Sequence, residues 1–172
     1  MGVTNYSGVQ GIYFRRVLKA YGKIGNFSEF PGKNLLDFGC GTKELKKFTS
    51  NMNYIGYDRD PKLSDTESWE QIQFHTLVIN HTLMYMDKNE ICSLFSELNN
   101  NLILEQIIIG VGRQNRLSDI GKRLLGEKNA HSGTLTEPRE QLELITEYFN
   151  VISSKSVFFM TDILLLKPKK RH

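Results

Sequence analysis

Short apolar runs alternate with helix-like patterns along most of this chain, and that alternation limits the folds open to it. Runs typical of buried strands lie at residues 34–39, 54–58, 74–80 and 103–111. Helical patterns lie between them, at 6–22, at 43–49, after the capping box Asp87–Glu90, and from Thr136 onward. Strands that alternate with helices form parallel sheets with both faces covered.

Two further β-rich segments, 149–157 and 159–166, close the chain. No crossover helix fits between them, so we expect them to pair antiparallel as a hairpin at the sheet edge. The predicted fold is α/β: a doubly wound, mostly parallel sheet with a C-terminal antiparallel edge hairpin.

Composition narrows the class of protein. The chain has 172 residues, 40% of them hydrophobic and 24% charged, which suits a single domain over 1–172 that opens with an N-terminal helix in 1–25. Two cysteines and no secretory signal pattern predict reduced thiols in a cytoplasmic protein. No apolar stretch is long enough to span a bilayer, and a net charge of +3 is too small for a nucleic-acid-binding signature.

The turn after the first predicted strand, Asp37 to Glu44, has two closely spaced glycines, Gly39 and Gly41. Glu44 stands where a dinucleotide fingerprint needs a small residue, and the turn lacks the P-loop pattern, so a phosphate ligand fits poorly. Asp37 precedes the glycines at a strand end, where a carboxylate can meet a cationic group. Asp58 ends the next strand, where a carboxylate can accept hydrogen bonds from ribose hydroxyls.

Three segments together, LLDFGCGT (35–42), YIGYDRDP (54–61) and FHTLVINHTLMYMD (74–87), resemble the ordered motifs of class I S-adenosylmethionine-dependent methyltransferases. The resemblance covers residues 34–166 and implies S-adenosyl-L-methionine as the cofactor. It places the methionine end of the cofactor on the glycine turn, the ribose on Asp58 with Arg59 beside it, and the methionine moiety and acceptor beside Asn80 and His81. The turn residues concerned are Asp37, Gly39, Cys40, Gly41 and Thr42.

The chain departs from the family pattern in two places. Lys43 replaces the frequent third glycine, so the turn could be wider or its helix shifted. Only fifteen residues separate Asp58 from Phe74, where the family usually has a helix, a third strand and an acidic residue that contacts adenine. We therefore expect a reduced or missing third strand, with Asp65 and Trp69 as insecure candidates for the adenine contact.

Methyl transfer to a hydroxyl or a protonated amine is helped by a general base, and the candidates are His81, Tyr85 and His131. His81 is the best placed, although a loop-packing role is the stronger alternative for it. The segment 112–133 is basic and is expected to cover the acceptor site, which favours an anionic acceptor; an amphipathic helix with a solvated basic face is the alternative. No cluster of acidic metal ligands is evident, so no metal is expected.

The leading hypothesis is a methyltransferase that acts on a small-molecule acceptor at oxygen or nitrogen. Asn80 is followed by His-Thr-Leu rather than the Pro-Pro-aromatic run of enzymes that methylate nucleic-acid bases, which argues against a nucleic-acid acceptor. A non-catalytic module of the same fold that binds a protein partner is the main alternative. A nicotinamide-dependent oxidoreductase is disfavoured by Glu44. The sequence leaves the oligomeric state open.

Overall fold

A computed structural model describes residues 8–49, 51–114 and 133–169. Six strands form one sheet in the order β2-β1-β3-β4-β6-β5. They are β1 Asn34–Phe38, β2 Asn53–Tyr57, β3 Thr76–Asn80, β4 Gln106–Gly112, β5 Phe149–Val157 and β6 Thr161–Pro168. The first four strands pair in parallel, whereas β6 runs antiparallel to both β4 and β5. This confirms the predicted α/β sheet with its antiparallel edge hairpin.

Helices cover both faces of the sheet because successive strand residues point to opposite sides. Within the described ranges the α-helices are α1 Gly8–Ile24, α2 Lys88–Asn100 and α3 Pro138–Tyr148, and short 3-10 helices occupy Phe27–Glu29, Glu44–Phe48 and Leu83–Tyr85. On one face, Leu35, Val78 and Ile108 pack with α1. On the other, the alternate strand residues pack with α2 and α3. No helix within the described ranges is both long and apolar enough to cross a membrane.

Local sequence signals placed the helix ends with mixed success. The capping box at the start of α2 is formed as predicted, with the Asp87 side chain on the Glu90 N–H and the Glu90 side chain on the Asp87 N–H. The helix predicted over 6–22, with Gly22 and Gly25 at its end, continues through Gly22 to Ile24 and ends directly before Gly25. Packing against the 3-10 helix that follows β1 supports this last turn, since the Phe48 carbonyl lies 3.4 Å from where a Gly22 Cβ would be.

No third parallel strand forms between β2 and β3, a stretch that the structure describes throughout. Asp65 instead satisfies the outer edge of β2. Its N–H donates to the Gly56 carbonyl (2.7 Å), and its carboxylate accepts the Gly56 N–H (2.9 Å). At Gly56, one side chain and one peptide group thus take the place of a neighbouring strand.

The contact between Tyr21 and Gly110 fixes how α1 lies on the sheet. Tyr21 is fully buried, and its hydroxyl donates to Asn80 Oδ1 at 3.0 Å. A Cβ at Gly110 would lie 1.8 Å from that hydroxyl oxygen, so β4 needs a glycine here for the helix to approach.

We predict that Gly110→Ala destabilises the fold by about 1–3 kcal/mol, because the methyl group must displace a buried side chain. Gly112→Ala is the matched control on the same strand: its Cβ would meet only the His81 ring, at 3.9 Å. Adding Tyr21→Phe to Gly110→Ala removes the closest clashing atom and should recover part of the loss. Urea unfolding of the four proteins of this double-mutant cycle measures the coupling, and additive effects would contradict the packing argument.

Candidate functional site

The glycine turn joins the end of β1 to the following 3-10 helix with three residues in the left-handed region. These are Gly39 (φ 78°), Gly41 (φ 48°) and Lys43 (φ 59°). Lys43 therefore keeps the backbone conformation that a third glycine would adopt easily, at a cost of roughly 1–2 kcal/mol. Its ammonium group forms an ion pair with Asp65. A lysine in a left-handed backbone conformation thus stands at the position where the family often has a glycine.

The N–H groups of the turn are directed into the protein. Those of Gly39 and Cys40 donate to the Tyr57 carbonyl, at 2.8 and 3.0 Å, and that of Lys43 donates to the Cys40 carbonyl. The Gly41 N–H donates to Asp58 Oδ2 at 2.9 Å. A phosphate-binding turn presents such N–H groups to its ligand. With four of them engaged by the protein, the turn is poorly suited to a pyrophosphate.

The two glycines differ in what lies beside them. A Cβ at Gly39 would come within 2.1 Å of Thr82 Oγ1, and that hydroxyl donates to the Phe38 carbonyl at 3.1 Å. The side chain of Thr82 thus fills the space on the Cβ side of Gly39, and a contact between Gly39 and the cofactor stays a prediction. A Cβ at Gly41 would meet nothing within 4 Å. The open approach to the turn is at Gly41.

Between the glycines, Cys40 points into the fold and only 8% of its surface is exposed. Its sulfur lies against Gly56, 2.8 Å from where a Cβ would be, and 3.6 Å from the Leu63 carbonyl. Burial, and next the charge of Asp37, raise the pKa of this thiol to about 12. The Cys40 side chain is thus a packing element under the turn, whereas Thr42 is exposed on its outer side.

Asp37 is a buried carboxyl group at the end of β1, with 3% of its surface exposed. The Tyr54 hydroxyl of the adjacent strand donates to its Oδ2 at 2.7 Å. Burial raises the pKa of Asp37 to about 7, the Tyr54 hydrogen bond works in the opposite direction, and the nearby charge of Asp58 raises it further. The two aspartates therefore interact electrostatically, as expected for carboxylates at neighbouring strand ends.

Asp58 ties the end of β2 to the glycine turn. Besides the Gly41 N–H on Oδ2, it accepts the Asp60 N–H on Oδ1 at 3.0 Å. Each carboxylate oxygen can accept more than one hydrogen bond, so both retain capacity for a hydroxyl donor. Its neighbour Arg59 forms an ion pair with Glu90 at the start of α2, at 2.7 Å.

At the end of β3, Asn80 and His81 are held by contacts from α1 and β6. His81 has a left-handed φ of 57°, and its N–H donates to the Gly110 carbonyl at 3.2 Å. Its Nε2 lies 3.0 Å from the hydroxyl oxygen of the buried Thr161, which in turn lies 2.5 Å from the Tyr13 hydroxyl. These contacts fix the orientation of the imidazole ring.

The remaining candidates are Tyr85, His131 and the basic segment. Tyr85 lies in the 3-10 helix after β3 and is 42% exposed. His131 and most of the basic segment 112–133 lie outside the described residues. Arg113 is described, and it forms a salt bridge with Asp162 (Nε to Oδ2, 3.0 Å), so its charge is partly compensated by the protein.

Of the two adenine candidates, Trp69 is a core residue. It is 9% exposed and packs edge-on against Phe38, with ring centroids 5.8 Å apart. Asp65 is bonded to Gly56 and Lys43. Partial burial raises the pKa of its carboxyl group, but these bonds outweigh burial and lower the pKa overall. Trp69 thus belongs to the core, while an adenine contact by Asp65 stays a prediction.

Sequence reasoning missed the residues that hold the site together: Tyr21, Tyr54, Thr82 and Thr161. A signal existed for Tyr54, because the two-residue period of β2 puts it on the same face as Gly56, the register partner of Asp37. The other three contact the site across long stretches of sequence, where local patterns carry no information.

No protein-family model matches the sequence, and no curated protein matches it. Solved structures match its fold. The magnesium protoporphyrin IX methyltransferase of Synechocystis, with bound S-adenosylhomocysteine, aligns with a TM-score of 0.63 over 96% of this chain and 89% of its own, at 14% identity. The N-methyltransferase NodS of Bradyrhizobium japonicum aligns at 0.62 over 90% and 96%, also at 14% identity. The chain has the class I methyltransferase fold.

That fold serves different acceptors. The small RNA methyltransferase HEN1 also aligns, with a TM-score of 0.66 and 13% identity, over 99% of this chain and 27% of its own. Small-molecule and RNA methyltransferases thus both share this architecture, so the argument against a nucleic-acid acceptor rests on the sequence alone.

The buried state of Asp37 predicts a pH-dependent stability. The folded protein keeps this proton up to about pH 7, whereas the unfolded chain releases it near pH 3.8. Stability therefore decreases as the pH rises from 4 to 7, by up to about 4 kcal/mol, and this contribution is constant above pH 7.

Asp37→Asn keeps the shape and removes the ionisation. Urea unfolding without added ligand, at pH 5 and pH 8, should show a smaller loss of stability in this variant than in the wild type. Asp60→Asn, at an exposed carboxylate, controls for general charge effects. Equal losses in wild type and Asp37→Asn would show that Asp37 ionises normally.

Proposed function

We propose that this protein is an S-adenosylmethionine-dependent methyltransferase that acts on a small-molecule acceptor, at oxygen or nitrogen, by in-line transfer. The observation that carries the proposal is the glycine turn of this fold. Four of its N–H groups are used internally, and two carboxyl groups, Asp37 and Asp58, stand at its base. Such a turn suits a cationic ligand without phosphate groups. The neighbours with bound S-adenosylmethionine or S-adenosylhomocysteine support the same ligand.

The residues present fit this cofactor. Its α-ammonium and sulfonium would approach the Asp37 side of the turn and favour the ionised form of that carboxyl group. The open space beside Gly41 would admit the cofactor to the backbone, with Thr42 beside it. Asp58 would accept the ribose hydroxyls, with Arg59 at the outer side. Asn80, held by Tyr21, would lie beside the methionine moiety.

When bound, the cofactor supplies a methyl group on a sulfonium, which is already an activated donor. Transfer of this methyl group to a lone pair of the acceptor would break the carbon–sulfur bond and leave its electron pair on the sulfur. The task of the protein is alignment, which can be worth roughly 7–11 kcal/mol. A hydroxyl or ammonium acceptor must also lose a proton.

His81 is the residue we propose to receive that proton. It follows β3 at the edge of the sheet where β1, β3 and β4 end, which we call the ligand edge. Thr161 holds its ring in one orientation. Tyr85 is the second candidate from the same loop, and His131 a third, in the segment outside the described residues. We also propose that 112–133 covers the acceptor. Arg113 forms a salt bridge with Asp162, so this arginine gives less support to an anionic acceptor.

Titration calorimetry with S-adenosylhomocysteine tests the proposal. We expect binding to the wild type and at least tenfold weaker binding to Asp58→Ala, because hydrogen bonds to a charged acceptor contribute about 1.5–3 kcal/mol. Asp60→Ala is the matched control two residues away. Among the residues that the structure describes, its side chain bonds only the Lys62 N–H, and the variant keeps the backbone N–H that contacts Asp58. We expect its affinity to stay within twofold of the wild type.

The absence of any binding heat for the folded wild-type protein, confirmed by a competition assay, would favour the non-catalytic module. Binding of NAD in place of S-adenosylhomocysteine would favour the oxidoreductase, against the geometry of the turn.

A further inference from the structure

The turn between β5 and β6 is built from two phenylalanines in an unusual backbone conformation. Phe158 (φ 50°) and Phe159 (φ 57°) are both left-handed, and the Met160 N–H donates to the Val157 carbonyl at 3.0 Å. Hairpin turns with two central residues of positive φ strongly favour Asn-Gly, and bulky residues rarely occupy such positions. We call Phe158 and Phe159 the aromatic turn. Their backbone conformation lowers the stability of the fold relative to Asn-Gly at the same positions.

The same side chains are also a poor choice for solubility. Phe158 is 53% exposed and Phe159 is 61% exposed, although the buried face of the hairpin lies immediately beside them. A strained and exposed aromatic pair gains little from the core. A strained position that persists in a fold suggests a role in function.

The aromatic turn lies at the ligand edge of the sheet. It leads directly into Thr161, which pairs with Gly112 at the end of β4 and contacts His81. The Phe158 ring lies 6.0 Å from the ring of Tyr13, whose hydroxyl bonds to Thr161. From the end of β3 to β6 is two strand spacings, roughly 10 Å. One small molecule can span that distance.

Other apolar side chains surround the same edge. Tyr85 and Leu135 are 42% and 63% exposed, and the Leu135 N–H donates to the Met84 carbonyl in the loop after β3. The end of the sheet where a reacting group must lie is thus bordered by aromatic and aliphatic surface, while the described Arg113 is paired with Asp162.

We propose that the aromatic turn, backed by the buried Tyr13, binds a flat aromatic ring of the acceptor and directs its nucleophilic atom toward His81. The proposal rests on the proposed methyl transfer and adds the substrate class: a planar aromatic compound that carries a hydroxyl or an amine. Stacked and edge-on ring contacts provide the recognition. Continuity with His81 through Thr161 and Tyr13 favours this occupant over a protein partner.

Phe158→Asn/Phe159→Gly tests this proposal, because it installs the pair that the turn geometry prefers. We expect the variant to unfold at an equal or higher temperature than the wild type and to bind S-adenosylhomocysteine within twofold. The probe is 2-naphthol, titrated in the presence of S-adenosylhomocysteine and followed by protein NMR shifts. Its affinity should fall at least tenfold in the variant. Decahydro-2-naphthol, of the same skeleton but not planar, should bind the wild type at least tenfold more weakly than 2-naphthol.

Equal binding of 2-naphthol to wild type and variant would overturn the proposal, as would equal binding of the flat and saturated probes. So would a variant that only changes the oligomeric state, since the turn would then be a self-association surface. If the double variant loses stability, Phe158→Leu/Phe159→Leu keeps the apolar bulk and must still weaken 2-naphthol binding. Loss of S-adenosylhomocysteine binding in the wild type would instead contradict the proposed function, and 2-naphthol alone then tests the aromatic turn.

Discussion

The hydrogen bond from the Gly41 N–H to the Asp58 carboxylate joins the turn after β1 to the end of β2, and the character of the ligand edge follows from it. Together with the bonds from Gly39 and Cys40 to the Tyr57 carbonyl, it removes the anion-binding capacity of the turn. It also holds the Asp58 carboxylate against the N–H of Gly41, the open glycine of the turn. A ligand that binds here must tolerate carboxylates, which favours a cation.

Asp37 shows what this arrangement costs the protein. A buried carboxyl group with one hydroxyl donor is poorly solvated, so its pKa rises to about 7 and the ionised form destabilises the fold. A cationic ligand beside it reverses that balance. Ionised Asp37 lowers the stability of the folded protein, and a bound cation would recover that free energy. Such a trade between stability and function is common.

Much of the fold was predictable because it depends on local patterns. The apolar runs marked buried strands, the Asp87–Glu90 capping box marked the start of α2, and the fifteen residues before Phe74 were too few for a third strand. The site was less predictable, because distant residues complete it. Thr82 fills the space beside Gly39, Cys40 lies against Gly56, and nothing local announces either contact. The Phe158-Phe159 turn could not be predicted from local sequence, because phenylalanine is disfavoured in the left-handed conformation that both residues adopt.

Left-handed backbone outside glycine is concentrated at one end of the sheet. Among the described residues, five non-glycine residues have positive φ: Asn26, Lys43, His81, Phe158 and Phe159. All but Asn26 follow strands at the ligand edge, where β1, β3 and β5 end. Each costs roughly 1–2 kcal/mol, and a chain selected for stability alone would place Gly or Asn at these positions. Because Lys43 and His81 belong to the loops of the proposed cofactor and acceptor site, the same reasoning applies to the two phenylalanines that share their edge.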